Sequence, residues 1–190
     1  HKSSHSFPTR RSSDLWLRPG SFQGHPDTFK WYEKAPNLAE KPVVPNDQTR
    51  MVKERERNPL LVPPAVMLPH GRVGQSPTAI VCDTTGGKFG PFKNQLFVGE
   101  QCYSNVARVY LEMVDGLYQG VVFPFVENFG SGIIGMTMTP SGHLFAGGSD
   151  RGWGARGGKP YCFDRVVWTG KTPFEILEMK VQPDGFVLNF

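Results

Sequence analysis

The sequence predicts an all-β fold, on three observations. Glycine and proline account for 22 and 17 of the 190 residues, together roughly a fifth against a usual share of about 12 %, and both interrupt helices. From Thr78 onward, short apolar runs rich in Val, Ile, Phe and Tyr alternate with turn signals, as strands do. Those runs fall into two sets of four that echo one another. A hydrophobic content of 38 % with 12 % aromatic residues suffices for a packed core. No run of 18 apolar residues exists to cross a membrane.

Residues 1–15 come first. The stretch from His5 to Leu15 resembles the in-frame translation of a sequencing-library adapter, a segment to set apart from fold reasoning and expected to be disordered. The alternative is a genuine basic, Ser-rich leader. Lys2, Arg10 and Arg11 against Asp14 place half of the formal +4 charge here. The remaining +2 gives no argument for nucleic-acid binding. With the amino terminus read as extraneous, and the far end stopping inside the alternation Phe186, Leu188, Phe190, the sequence reads as an internal fragment of a longer protein.

Residues 16–77 are expected to form an irregular Pro-rich segment, with ten prolines from Pro19 to Pro77 that leave no room for a helix or strand longer than a few residues. The alternating charges Lys53 to Arg57 predict a solvated surface stretch. In 78–127 the predicted strands are 78–82, 95–99, 107–111 and 118–125, with Asp115-Gly116 as a hairpin turn. In 128–182 they are 133–138, 143–146, 163–168 and 174–181, with turns at Pro140-Ser141-Gly142 and Thr169-Gly170-Lys171. Residues 183–190 begin a further, truncated element.

The two sets of strands repeat. Leu96-Phe97-Val98-Gly99 recurs 48 residues later as Leu144-Phe145-Ala146-Gly147, and Arg108-Val109-Tyr110 recurs 57 residues later as Arg165-Val166-Val167. The extra nine residues fit an insertion in the Gly-rich stretch 147–160. A third echo links Pro183-Asp184-Gly185-Phe186 to Pro140-Ser141-Gly142-His143. Four-stranded repeats of this length are the signature of β-propeller blades, which bury their faces against neighbouring blades. A sandwich with coincidental tetrapeptides is the alternative.

The blade motifs resemble those of the glucose/sorbosone dehydrogenase family, whose members are six-bladed propellers that use pyrroloquinoline quinone and calcium to oxidise sugars. Pro19-Gly20-Ser21-Phe22-Gln23-Gly24-His25-Pro26 is similar to the family's Gly-x-Asn-Tyr-Gly-Trp-Pro loop. Phe92 to Gly99 followed by Ala107-Arg108-Val109, and Ile133 to Gly142 followed by Leu144-Phe145, resemble two successive blades. Residues 128–184, with the loop Ser149 to Pro160, resemble more specifically one branch of the family, large secreted bacterial proteins that fuse the propeller to cytochrome c modules.

The resemblance implies the carboxy-terminal part of a propeller that oxidises an aldose or aldehyde and passes electrons to a quinone or haem module, in the periplasm or outside the cell. It also has departures. Two family arginines that contact the anionic quinone correspond here to Gly132 and Ile134, and the loop Trp corresponds to His25. A tricarboxylate needs cationic partners. Arg151 and Arg156 are the candidates to replace the arginines, and His25 and Trp153 complete the implied cofactor site. The family's catalytic histidine belongs to an earlier blade, so no catalytic residue is assigned. Two blades cannot enclose the cofactor, and no dehydrogenase activity is expected of this chain itself. The second reading is a non-catalytic carbohydrate-binding or scaffolding propeller, since fold does not decide function.

Ligands of propellers bind where inter-blade loops and inner-strand ends meet the central channel. By position, Gln75, Ser76, Glu100 and Gln101 are therefore ligand candidates beside His25, Arg151 and Trp153. A carboxylate at the strand end, Glu100, is placed to hold calcium or a sugar hydroxyl; the alternative is a solvated strand-end pair. His70 is a further loop candidate, and His143 falls in a blade turn. Gly152-x-Gly154-x-x-Gly157 matches a dinucleotide fingerprint only as a string, because Gly158-Lys159-Pro160 prevents a helix from following. It reads instead as a loop whose Trp153 and Arg156 face a ligand, or as one that Trp153 anchors to the core. Cys82, Cys102 and Cys162 lie too far apart for a zinc site and read as buried strand cysteines.

Overall fold

The computed structural model describes residues 13–14, 16–21, 34, 43 and 49–190. It is almost entirely β. The elements are β1 (Ser13–Asp14), α1 (Met51–Arg57), β2 (Val66–Met67), β3 (Pro77–Cys82), β4 (Leu96–Glu100), β5 (Asn105–Val114), β6 (Leu117–Val126), β7 (Ile133–Met138), β8 (His143–Ser149), β9 (Tyr161–Val167), β10 (Glu178–Gln182) and β11 (Gly185–Asn189). β3-β4-β5-β6 form a four-stranded antiparallel meander and β7-β8-β9 a three-stranded one. β10 and β11 form a separate hairpin, and β1 pairs with β2. These are the sheets expected of a propeller fragment. Among the described residues no helix is long and apolar enough to cross a membrane.

The internal repeat holds at the level of strand pairing. Phe97 stands opposite Arg108 in the first sheet, and Phe145 opposite Arg165 in the second. Leu96 faces Val109, and Leu144 faces Val166. Directly opposite residues share a sheet face, so each sheet has a Phe/Arg face and a Leu/Val face. The Phe/Arg face of the first sheet meets the Leu/Val face of the second, and Phe89, Phe92, Phe97, Val106, Ile133, Leu144 and Ala146 form the core between them. The Thr78 hydroxyl ties the two first strands together, donating to the Ile133 carbonyl at 2.6 Å.

Three expectations need correction. The irregular segment includes the seven-residue helix α1, and inside its alternating charges Glu54 is fully buried rather than solvated. The same segment also supplies core: Val66 and Leu68 cover the Leu/Val face of the first sheet against Val98 and Val109. The second sheet has three strands, because the expected fourth, 174–181, starts only at Glu178 and pairs with β11. Cys82 and Cys162 lie half-buried in strands, whereas Cys102 is buried in the turn between β4 and β5; all three are free thiols.

Candidate functional site

Register places one set of loops together. Pro77 pairs with Glu100 and Glu100 with Asn105, while Ile133 pairs with Gly148 and Ser149 with Tyr161. The entry to β3, the β4–β5 turn, the entry to β7 and the β8–β9 loop therefore share one end of the two sheets.

Two buried polar side chains build this end. Glu100 is 1 % exposed, and its carboxylate accepts the backbone N–H groups of Gln75 (2.8 Å), Ser76 and Tyr103. It is neither solvated nor open to a calcium ion, since both oxygens serve to fold the turn. Gln101 is also buried, and its amide Nε2 donates to the Trp153 carbonyl at 2.7 Å and to the Ser149 carbonyl at 3.5 Å. The β8–β9 loop is tied down further by Arg156 N–H to the Cys102 carbonyl, Gly157 N–H to the Ser104 hydroxyl and Lys159 N–H to the Gly130 carbonyl, each at 3.0 Å. Gly157 permits this approach, because a Cβ there would lie 2.4 Å from the Phe129 carbonyl oxygen.

The result is a shallow cavity of about 540 Å³ walled by Gln75, Cys102, Tyr103 and the loop Gly152 to Arg156. Trp153 is 55 % exposed, so the loop presents it instead of anchoring it in the core. The Arg156 guanidinium lies 4.1 Å above the Tyr103 ring, a stack that fixes a mobile cation without consuming all of its donors. Indole, phenol ring, guanidinium and carboxamide in one concave wall suit a polyhydroxylated ring, which offers C–H faces and hydroxyls together. Burial pushes the thiols of Cys82 and Cys162 up, with Asp83 and Asp164 respectively adding to it, so neither is poised as a nucleophile.

Of the residues singled out from sequence, Gln75, Trp153 and Arg156 line this cavity, with Ser76, Glu100 and Gln101 behind them as its frame. Arg151 lies exposed on the same loop but outside the wall, its N–H donating to the Ser149 hydroxyl at 2.9 Å. His70 is exposed at another position, and His25 lies outside the described residues. Tyr103 was missed. It belongs to no motif, but the repeat sets the β4–β5 turn in correspondence with the β8–β9 loop, and that signal points to it.

The two positions that correspond to the family's quinone-binding arginines supply no cation. A Cβ at Gly132 would lie 2.2 Å from the Gln101 carbonyl oxygen, so the backbone excludes an arginine there. Ile134 is an apolar, half-exposed side chain. That leaves Arg156 as the guanidinium in the wall, against three carboxylates. Among the described residues no three His, Cys, Asp or Glu side chains gather to hold a metal ion.

The chain is similar to a solved structure from Thermus thermophilus described as a "putative oxidoreductase (glucose dehydrogenase)". The two are 20 % identical, the match covers 57 % of this chain and 30 % of that one, and the TM-score is 0.41. No family model and no curated protein matches the sequence.

Proposed function

We propose that the chain is part of a sugar dehydrogenase-like β-propeller whose loop end binds a carbohydrate. The observation that carries this is the convergence of Trp153, Tyr103, Arg156 and Gln75 on one cavity. Of the two readings of the sequence, the described residues favour the non-catalytic, binding one. Sugar oxidation with electron transfer to a quinone or a haem module, in a secreted or periplasmic protein, calls for cationic cofactor partners, and Gly132 and Ile134, which correspond to the family's two arginines, supply none. The binding reading calls for none.

Titration of the 190-residue chain with glucose, followed by calorimetry and tryptophan fluorescence, tests the proposal. Trp153→Ala is expected to weaken binding by about tenfold, equivalent to about 1.4 kcal/mol, with circular dichroism verifying that the variant folds. No uptake of glucose or other aldoses by the unmodified chain overturns the carbohydrate reading. Reduction of a redox dye on addition of sugar, quinone and calcium returns the oxidative one.

A further inference from the structure

A second cavity opens at the same end of the molecule. It has a volume of about 520 Å³ and lies where the β6–β7 connection, the start of β5 and β9 converge. Tyr103 and Arg156 belong to its wall as well as to the wall of the first. The Arg156–Tyr103 stack is therefore a ridge with a hollow on either side, each of similar size.

The second hollow is polar in a particular way. Its wall sets Arg156, Lys159 and Arg165 against the carboxylates of Glu127 and Asp164, the latter accepting the Gly130 N–H at 3.0 Å, with Ser104 and Asn105 beside them. Both signs of charge are present, so a ligand carrying a single sign meets like charge within the wall. Asn105 Oδ1 is buried and has no hydrogen-bond partner, an acceptor that carries a desolvation cost unless a donor reaches it. Hydroxyl groups both donate and accept, so a neutral polyol satisfies a wall of this kind better than an apolar or singly charged ligand does.

We infer that the ligand is a neutral oligosaccharide at least two units long, lying across the Arg156–Tyr103 ridge with one unit in each hollow. This rests on the carbohydrate reading of the first cavity and extends it to a chain length. The ridge takes the glycosidic link: the guanidinium edge offers donors to the bridging and ring oxygens, while its face stays on Tyr103. A covalently linked second unit binds at high effective concentration, so it adds affinity that two free monosaccharides do not.

The test compares glucose with the disaccharides cellobiose and maltose by calorimetry on the whole chain. At least one disaccharide is expected to bind about tenfold or more tighter than glucose. Asn105→Ala and Lys159→Ala are each expected to bring that ratio down toward one. Asn105→Ala removes an acceptor already without a partner, so folding survives it, and circular dichroism of each variant verifies this. Glucose binding with neither disaccharide binding tighter overturns the second subsite and leaves the carbohydrate reading intact. A preference for the disaccharide that persists in the double variant overturns it too. Failure of glucose and both disaccharides to bind overturns the carbohydrate reading itself.

Discussion

Arg108 shows how one residue can be misread from its sequence context alone. It is 1 % exposed, lies between the rings of Phe92 and Phe123 at 4.8 and 4.6 Å, and donates to Gln95 Oε1 at 2.5 Å and to the carbonyls of Ile176 and Leu177 at 2.7 and 2.8 Å. Burial lowers its pKa, and the partly exposed Glu175 carboxylate at 3.4 Å works against that shift. The sequence presented Arg108 as the partner of Arg165 in a repeated triplet. That correspondence is real in register, yet Arg165 is exposed. A lysine can replace the charge of Arg108 but not its planar fork. Arg108→Lys is expected to cost about 2 kcal/mol of stability, since at least one buried carbonyl loses its donor, and to speed amide exchange in residues 175–182. Chemical denaturation that shows less than about 0.5 kcal/mol of change would rule out the clamp.

At the scale of elements, turn chemistry and alternation made most of the first sheet legible. Asp115 and Gly116 take φ values of 49° and 75°, the left-handed pair that a two-residue hairpin needs, and the strands on either side run as alternation predicts. The fourth strand of the second sheet was not legible because a long-range contact decides it. Arg108 draws the carbonyls of Ile176 and Leu177 out of any strand ladder, so pairing begins only at Glu178, and β10 turns back through Pro183-Asp184 onto β11. The candidate site was legible in its loop and strand-end positions, not in its roles: Glu100 and Gln101 look solvated in sequence because burial by Gln75 and the β8–β9 loop is a tertiary event.

The β10–β11 hairpin carries a pH dependence. Burial pushes the Glu178 carboxyl up, but hydrogen bonds from Asn189, Lys180 and Tyr110 outweigh it and hold the group below the ordinary carboxylate value. A lowered carboxylate contributes stability above its unfolded-state pKa and loses it as pH falls through the folded one. Lys180, half-exposed, is raised by its hydrogen bond to Glu178, so its contribution is present below the ordinary ammonium value and fades as pH rises through the raised one. Tyr110, raised by burial first and then by Glu178, keeps its proton and remains a donor through neutral pH. On the other side the Val181 N–H donates to Glu112 Oε1 at 3.0 Å. Exchange protection of β10 is therefore expected to hold through neutral pH and to fall on acidification below the ordinary carboxylate value, earlier than protection of β5. Protection in β10 that tracks β5 throughout would exclude this local acid release.

At the scale of the whole molecule, the two larger sheets have equivalent faces in unequal surroundings. The Phe/Arg face of the first sheet is covered by the second, and there Phe97 is fully buried, with Phe89 at 5.2 Å and Phe125 at 4.9 Å between ring centres. The same face of the second sheet has no cover among the described residues: Phe145 stacks on Phe163 at 5.5 Å, and Phe163 is 76 % exposed. Repeat position alone treats Phe97 and Phe145 as equals, whereas burial separates them. Truncating a fully buried Phe removes its transfer free energy and leaves a cavity, a cost of about 3–5 kcal/mol. Truncating one on an open face removes only partial contacts and leaves no cavity, a cost of about 1 kcal/mol or less. Phe97→Ala is thus expected to destabilise the chain several-fold more than Phe145→Ala in urea denaturation, and to lower exchange protection in both sheets at once, because its contacts join them. Equal costs for the two substitutions would mean that the open face is covered in solution, and the two sheets would then no longer differ in the way their burial predicts.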